Sequence, residues 1–85
     1  MRTIYKYSVG FGVNEIIIPS NWKIVKFDKQ NGNLFFWALI DTIYNKEKVN
    51  FTIYGTGHPI QEDAVYMGTC FDNAFVWHLF MEKKP

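Results

Sequence analysis

Val49-Asn50-Phe51-Thr52-Ile53-Tyr54 is the stretch that decides the fold. Val49, Phe51 and Ile53 alternate with Asn50, Thr52 and Tyr54, the two-residue period of a strand with one buried face. The strand runs directly into Gly55-Thr56-Gly57-His58-Pro59-Ile60. Two glycines one residue apart allow backbone geometry that side-chain-bearing residues resist, and the proline fixes the exit of the loop. Such a loop is either a demanding structural turn or a binding site.

Working outward, the same signature recurs at short intervals: β-branched and aromatic runs separated by turn residues. Thr3 to Val9 is predicted as the first strand, with Tyr5 and Tyr7 on one face and Ile4 and Lys6 on the other. Gly10-Phe11-Gly12 breaks it. Val13 to Ile18 follows, stopped by Pro19-Ser20-Asn21, and then Trp22 to Asp28. Gln30-Asn31-Gly32-Asn33 supplies a hairpin turn, because Asn-Gly tolerates positive φ. Leu34 to Asp41 is apolar on both faces, which suits a central strand covered twice or one covered by a partner chain. Ile43 to Lys48 is a polar connection with room for a helical turn. Beyond the glycine loop, Ala64 to Cys70 and Ala74 to Met81 are strands, joined by a turn at Asp72-Asn73, and Glu82 to Pro85 reads as a frayed tail. The expectation is one all-β domain over residues 1–85, a compact sandwich or small barrel of about six to seven mostly antiparallel strands.

Bulk properties narrow the function classes. The chain has 85 residues, 48% hydrophobic and 19% aromatic, enough for one core with a thin margin. Cys70 is the only cysteine, so no disulfide can staple the monomer, leaving aromatic packing or assembly into a homo-oligomer to supply stability. A net charge of +1 gives no electrostatic case for duplex DNA or an anionic membrane. The cations are uneven, however. Arg2, Lys6, Lys23, Lys26 and Lys29 fall in the first third, so a local basic patch for a small anion remains open. The N-terminus lacks the apolar stretch of a signal peptide, and a free thiol fits a reducing cytoplasm.

The loop has two readings. In one, its glycines satisfy local geometry. In the other, the Gly55 and Gly57 amides, the Thr56 hydroxyl and His58 cup a polar or anionic group beside Tyr54. The lysine and following helix of a phosphate-binding P-loop are absent. His58, His78 and Cys70 lack zinc-ligand spacing, so no metal or other cofactor is expected, and His78 reads as a hydrogen-bonded, half-buried side chain. No nucleophile–base set surrounds Cys70, which reads as a small buried hydrophobe; no catalytic residues and no enzyme are expected. Eight Phe, five Tyr and three Trp exceed what one small core readily hides. Tyr5, Tyr7, Tyr54, Tyr66 and Trp77 therefore form a candidate stacking or subunit-packing surface, whereas Phe35, Trp37 and Phe51 are expected simply in the core.

Ile4-Tyr5-Lys6-Tyr7, Trp37-Ala38-Leu39-Ile40-Asp41, Tyr54-Gly55-Thr56-Gly57-His58-Pro59-Ile60, Tyr66-Met67-Gly68-Thr69 and Val76-Trp77-His78-Leu79-Phe80 occur in this order. Together they resemble a widespread family of small tailed-phage proteins of unknown function, over nearly the whole chain. The chain is also similar in kind to phage anti-CBASS nucleotide sponges. That resemblance implies a non-enzymatic, homo-oligomeric protein of the host bacterial cytoplasm that sequesters a cyclic dinucleotide immune signal. It supplies no residue-level ligand contacts. The competing expectation is a module docking on a phage or host protein through the two-sided strand at Leu34 to Ile40. Single-stranded nucleic-acid binding needs a basic track that a +1 balance does not provide.

Overall fold

The alternation along Val49–Tyr54 carries into three dimensions as inward and outward side chains: Val49, Phe51 and Ile53 are buried in the core. A computed structural model describes residues 1–82. Seven strands follow in chain order: β1 (Arg2–Val9), β2 (Gly12–Pro19), β3 (Lys23–Gln30), β4 (Asn33–Asp41), β5 (Lys46–Gly55), β6 (Val65–Asp72) and β7 (Phe75–Glu82). They form a three-stranded sheet in the order β1-β4-β3 and a four-stranded sheet in the order β2-β5-β7-β6. Every pairing is antiparallel.

The two sheets stack as a sandwich rather than close into a barrel. The Cα extents of 40 × 33 × 15 Å are those of two layers about 10 Å apart. Leu34, Phe36, Ala38 and Ile40 of β4 meet Val49, Phe51 and Ile53 of β5, with Ile18, Phe27, Cys70 and Leu79 closing the cluster. Phe36 and Phe51, both fully buried, touch across the layers with ring centroids 4.6 Å apart. At one edge the sheets are tied by β3 and β6. Lys29 Nζ lies 2.8 Å from Asp72 Oδ1, and the Cys70 thiol donates to Asp28 at 3.5 Å.

The turns follow residue chemistry. Asn31 and Gly32 take φ of 53° and 80°, the paired positive values of the tight turn between β3 and β4. Asn73, also at positive φ, opens the β6–β7 turn, which lies at Asn73-Ala74 rather than Asp72-Asn73. Asn14 clasps the β1–β2 turn: its amide bonds both the N–H and the C=O of Gly10, each at 2.9 Å.

Four expectations change. Residues 43–48 hold no helical turn. A tight bend, with the Tyr44 amide on the Asp41 carbonyl, leads straight into β5. Gly55 is the last residue of β5 rather than part of the loop. Glu82 is not frayed, because β7 reaches it and it accepts the Tyr54 hydroxyl at 2.6 Å; residues 83–85 of that proposed tail lie outside the described residues. Finally, Phe35 and Trp37 are not in the inter-sheet core. They share the outward face of β4 with Leu39, because the buried set is Leu34, Phe36, Ala38 and Ile40.

Candidate ligand-binding site at the aromatic end of the sandwich

The last inward position of β5 is Gly55, and a side chain there would collide with the His58 ring: a Cβ would stand 2.9 Å from its Cε1. The chain reverses at once. The His58 amide donates to the Gly55 carbonyl at 3.2 Å, and Gly57, third in the four-residue turn, takes φ of 87°. That is the position where a type II turn requires glycine. The imidazole folds back so that its Nδ1 accepts the Gly55 N–H at 3.2 Å. This bond puts the ring proton on Nε2, leaving that atom as a donor. Local geometry thus explains both glycines, and the same turn fixes an imidazole at the end of the core.

Trp77 pairs with Gly55 across the β5–β7 ladder. Its indole packs against two exposed phenylalanines. Phe75 stacks on it with a 15° interplanar angle and 5.6 Å between centroids, and Phe11 leans on it at 4.7 Å. The Asn14 clasp positions Phe11, and the indole N–H points to Asp72 at 3.5 Å. Two clefts flank this group. One, of about 560 Å³, lies where β5 continues past the start of β2 and is lined by Phe11, Thr52, Tyr54, Gly55, His58 and Trp77 among others. The second, of about 450 Å³, lies on the side of the β6–β7 turn and shares Gly55, His58 and Trp77, adding Thr56 and Phe75. Among the described residues, no lysine or arginine lines either cleft.

A polar strip crosses the neighbouring outward face of the four-stranded sheet. His78 bridges Thr56 Oγ1 at 2.9 Å and Thr69 Oγ1 at 3.0 Å, and the Tyr66 hydroxyl meets Thr69 at 2.6 Å. Tyr54 packs edge-on against Phe80, and its hydroxyl is held above its ordinary pKa by burial and then by Glu82. Thr52, between Val13 and Phe80 on this face, is 6% exposed, and its hydroxyl has no partner among the described residues.

The sequence-chosen residues are therefore only partly brought together. Tyr54, Gly55, Thr56, His58 and Trp77 surround the two clefts, with Gly57 exposed at the turn's tip. Tyr66 belongs to the polar strip. Tyr5 and Tyr7 line a different cleft of about 370 Å³ with Ile17, Pro19 and Tyr44, between β1 and β2. Tyr7 stacks on Phe36 there with centroids 5.1 Å apart. Sequence reasoning missed Phe11 and Phe75. The available signal was a large apolar residue in a glycine turn and another just after an asparagine turn, where burial is not expected. Among the described residues, no three His, Cys, Asp or Glu side chains gather as a metal site.

Residues 1–85 match the model of the DUF7352 family, a domain of unknown function, and the chain belongs to that family. No curated protein and no solved structure matches the chain.

Proposed function

We propose that this protein is a non-catalytic binding protein that captures a small base-bearing nucleotide at the aromatic end of the sandwich. The observation that carries this reading is a single indole, Trp77, shared by the linings of two clefts, both of a size that suits small ligands. Exposed Phe11 and Phe75 extend the stacking surface outward, one toward each cleft. The His58 Nε2–H and the Thr56 hydroxyl supply directed polar contacts at the rim. Two adjacent clefts, of about 560 and 450 Å³, suit the two nucleotide units of a dinucleotide better than a single mononucleotide. This supports the resemblance to phage sponges of cyclic dinucleotides, in which holding the signal is the whole activity. The described linings are largely aromatic and apolar, so base stacking supplies most of the affinity.

The test is thermal shift and calorimetry against a panel of cyclic dinucleotides, linear dinucleotides and mononucleotides, followed by recovery of the ligand. The expected result is a stabilising shift for a cyclic dinucleotide and its recovery intact. Phe11→Ala and Phe75→Ala remove exposed rings, so they leave folding unharmed and each weaken binding by about 5- to 100-fold, the equivalent of about 1–3 kcal/mol per stacked base. Absence of a shift for every nucleotide, or a hydrolysed product, overturns the reading.

A further inference from the structure

The outward face of the three-stranded sheet carries aromatic and basic side chains together. Its rows follow from the register. Ile4, Leu39 and Lys23 lie side by side, then Lys6, Trp37 and Lys26, then Ser8, Phe35 and Asp28. Trp37, on the central strand, thus has a lysine on each neighbouring strand. Phe35 stands next to it along β4, with ring centroids 6.1 Å apart. Lys6 spans this row, its ammonium 4.6 Å from the centre of the Phe35 ring and 2.9 Å from Gln30 Oε1 on the far strand. Ile4 is 53% exposed, and Trp37, Phe35 and Leu39 are half-buried with no covering element among the described residues.

The net charge of +1 conceals how the charges are sorted. This face gathers Arg2, Lys6, Lys23 and Lys26 against two carboxylates, Asp28 and Asp41, and Asp41 is already paired with the chain's amino terminus at 3.0 Å. The Lys26–Asp28 contact, 3.6 Å between exposed groups, is too weak to immobilise Lys26. The outward face of the opposite sheet is balanced instead, Glu15 and Glu82 standing with Lys46 and Lys48, and Lys48 lies 3.7 Å from Glu15; Glu62 and Asp63 lie on the exposed loop before β6.

We propose that this face is a second, independent site that binds single-stranded nucleic acid, with bases stacking on Trp37 and Phe35 and phosphates tracked by Lys6, Lys26, Lys23 and Arg2. The chemistry is that of aromatic platforms on open sheets. Base stacking is tolerant of sequence, and cations spaced on both sides of the rings meet a backbone running across the strands. A duplex offers no exposed base faces and gains nothing from Trp37. Lys6, which rests on Phe35, moves toward a phosphate when a base takes its place.

The experiment is fluorescence anisotropy with end-labelled oligothymidylate and oligouridylate of about 15 nucleotides, a length matched to one small β fold, beside a duplex of the same length. Single strands are expected to bind and the duplex not. Affinity should fall with salt along a log–log slope of about −1.5 to −3, the range for two to four phosphates neutralised on a single strand. Lys6→Glu with Lys26→Glu, both on the surface, should weaken binding by at least about tenfold. Trp37→Phe should stay within about threefold of the parent, whereas Trp37→Leu should lose about tenfold, because only phenylalanine keeps a ring. Phe11→Ala and Phe75→Ala should change nothing here, which separates this site from the aromatic end. Lack of single-strand binding at low salt, or equal binding by the charge-reversed variant, overturns the proposal. So does a basic face that instead mediates self-association, seen as a dimer by light scattering that the charge reversal dissolves, or one that captures an acidic protein while ignoring oligonucleotides.

Discussion

Thr52 carries a buried hydroxyl that its neighbours Val13 and Phe80 cannot satisfy. An unpaired buried hydroxyl costs about 1–3 kcal/mol, and valine has nearly the same shape and a better strand propensity. Thr52→Val is therefore expected to stabilise the protein by about 1 kcal/mol in urea denaturation. A loss of stability would mean that the hydroxyl has a partner in solution, and the cleft it lines is where to look for one. Gly55→Ala is expected to behave oppositely. Its Cβ would meet the His58 ring, an overpacking cost of about 1–3 kcal/mol, and Gly55→Ala with His58→Ala should recover most of it. Cys70 gives a third outcome at this scale. Burial, then Asp28, pushes its thiol pKa above the ordinary value. Native protein should thus react with a thiol reagent at least about 100-fold more slowly than unfolded protein. At this scale the sequence was legible wherever a residue's own backbone preference decides geometry, as at Asn31-Gly32 and Gly57. It was silent on Tyr54 and Glu82, whose bond depends on two strands meeting, and that is why Tyr54 read as a free contact.

Among the strands, β4 shows most clearly what periodicity can and cannot say. Its two apolar sets were visible, but alternation alone gives no preference for one over the other when both are apolar. The register with β1, set by Thr3, Tyr5, Tyr7 and Val9, turns Leu34, Phe36, Ala38 and Ile40 inward and leaves Phe35 and Trp37 outside. The gathering of the lysines was hidden for the same reason: Lys6, Lys23 and Lys26 meet only once β1 and β3 flank β4. The seam between β3 and β6 carries its own prediction. Asp72 is held below the usual carboxylate range chiefly by its hydrogen bond from Lys29, and Asp28 chiefly by the Lys29 backbone amide. A depressed folded-state pKa contributes stability above the unfolded value and loses it as pH falls through the folded one. The melting temperature should consequently drop as pH falls through and below the ordinary aspartate range. Asp72→Asn should lower it modestly at neutral pH and flatten that acid decline, which a series of thermal melts across pH would show. Lys29, raised by the same bond, contributes on the other side and loses its share only as strongly alkaline pH passes its folded value.

For the molecule as a whole, the ring pair Phe36–Phe51 joins the two layers within the core, and Trp22 packs edge-on against Phe51 at 5.3 Å. Replacing Phe51 with alanine should cost about 3–5 kcal/mol. For a domain whose whole margin is about 5–15 kcal/mol, that should broaden or abolish the cooperative near-ultraviolet dichroism transition on heating. The order of strands also governs how the molecule comes to exist. Of its six connections, only β3–β4 and β6–β7 join strands that pair with each other; β1–β2, β2–β3 and β4–β5 change sheet, and β5–β6 skips over β7. A chain emerging residue by residue therefore cannot pair its first strand until β4 has appeared, nor its second until β5 has. Closing such distant pairs is slow compared with zipping a hairpin, so refolding belongs in the millisecond-to-second regime with the Asn31-Gly32 hairpin as its earliest persistent structure. Until then β1 and β2 wait as unpaired apolar ribbons, the interval in which two nascent chains can exchange strands and in which yield depends on concentration rather than on final stability.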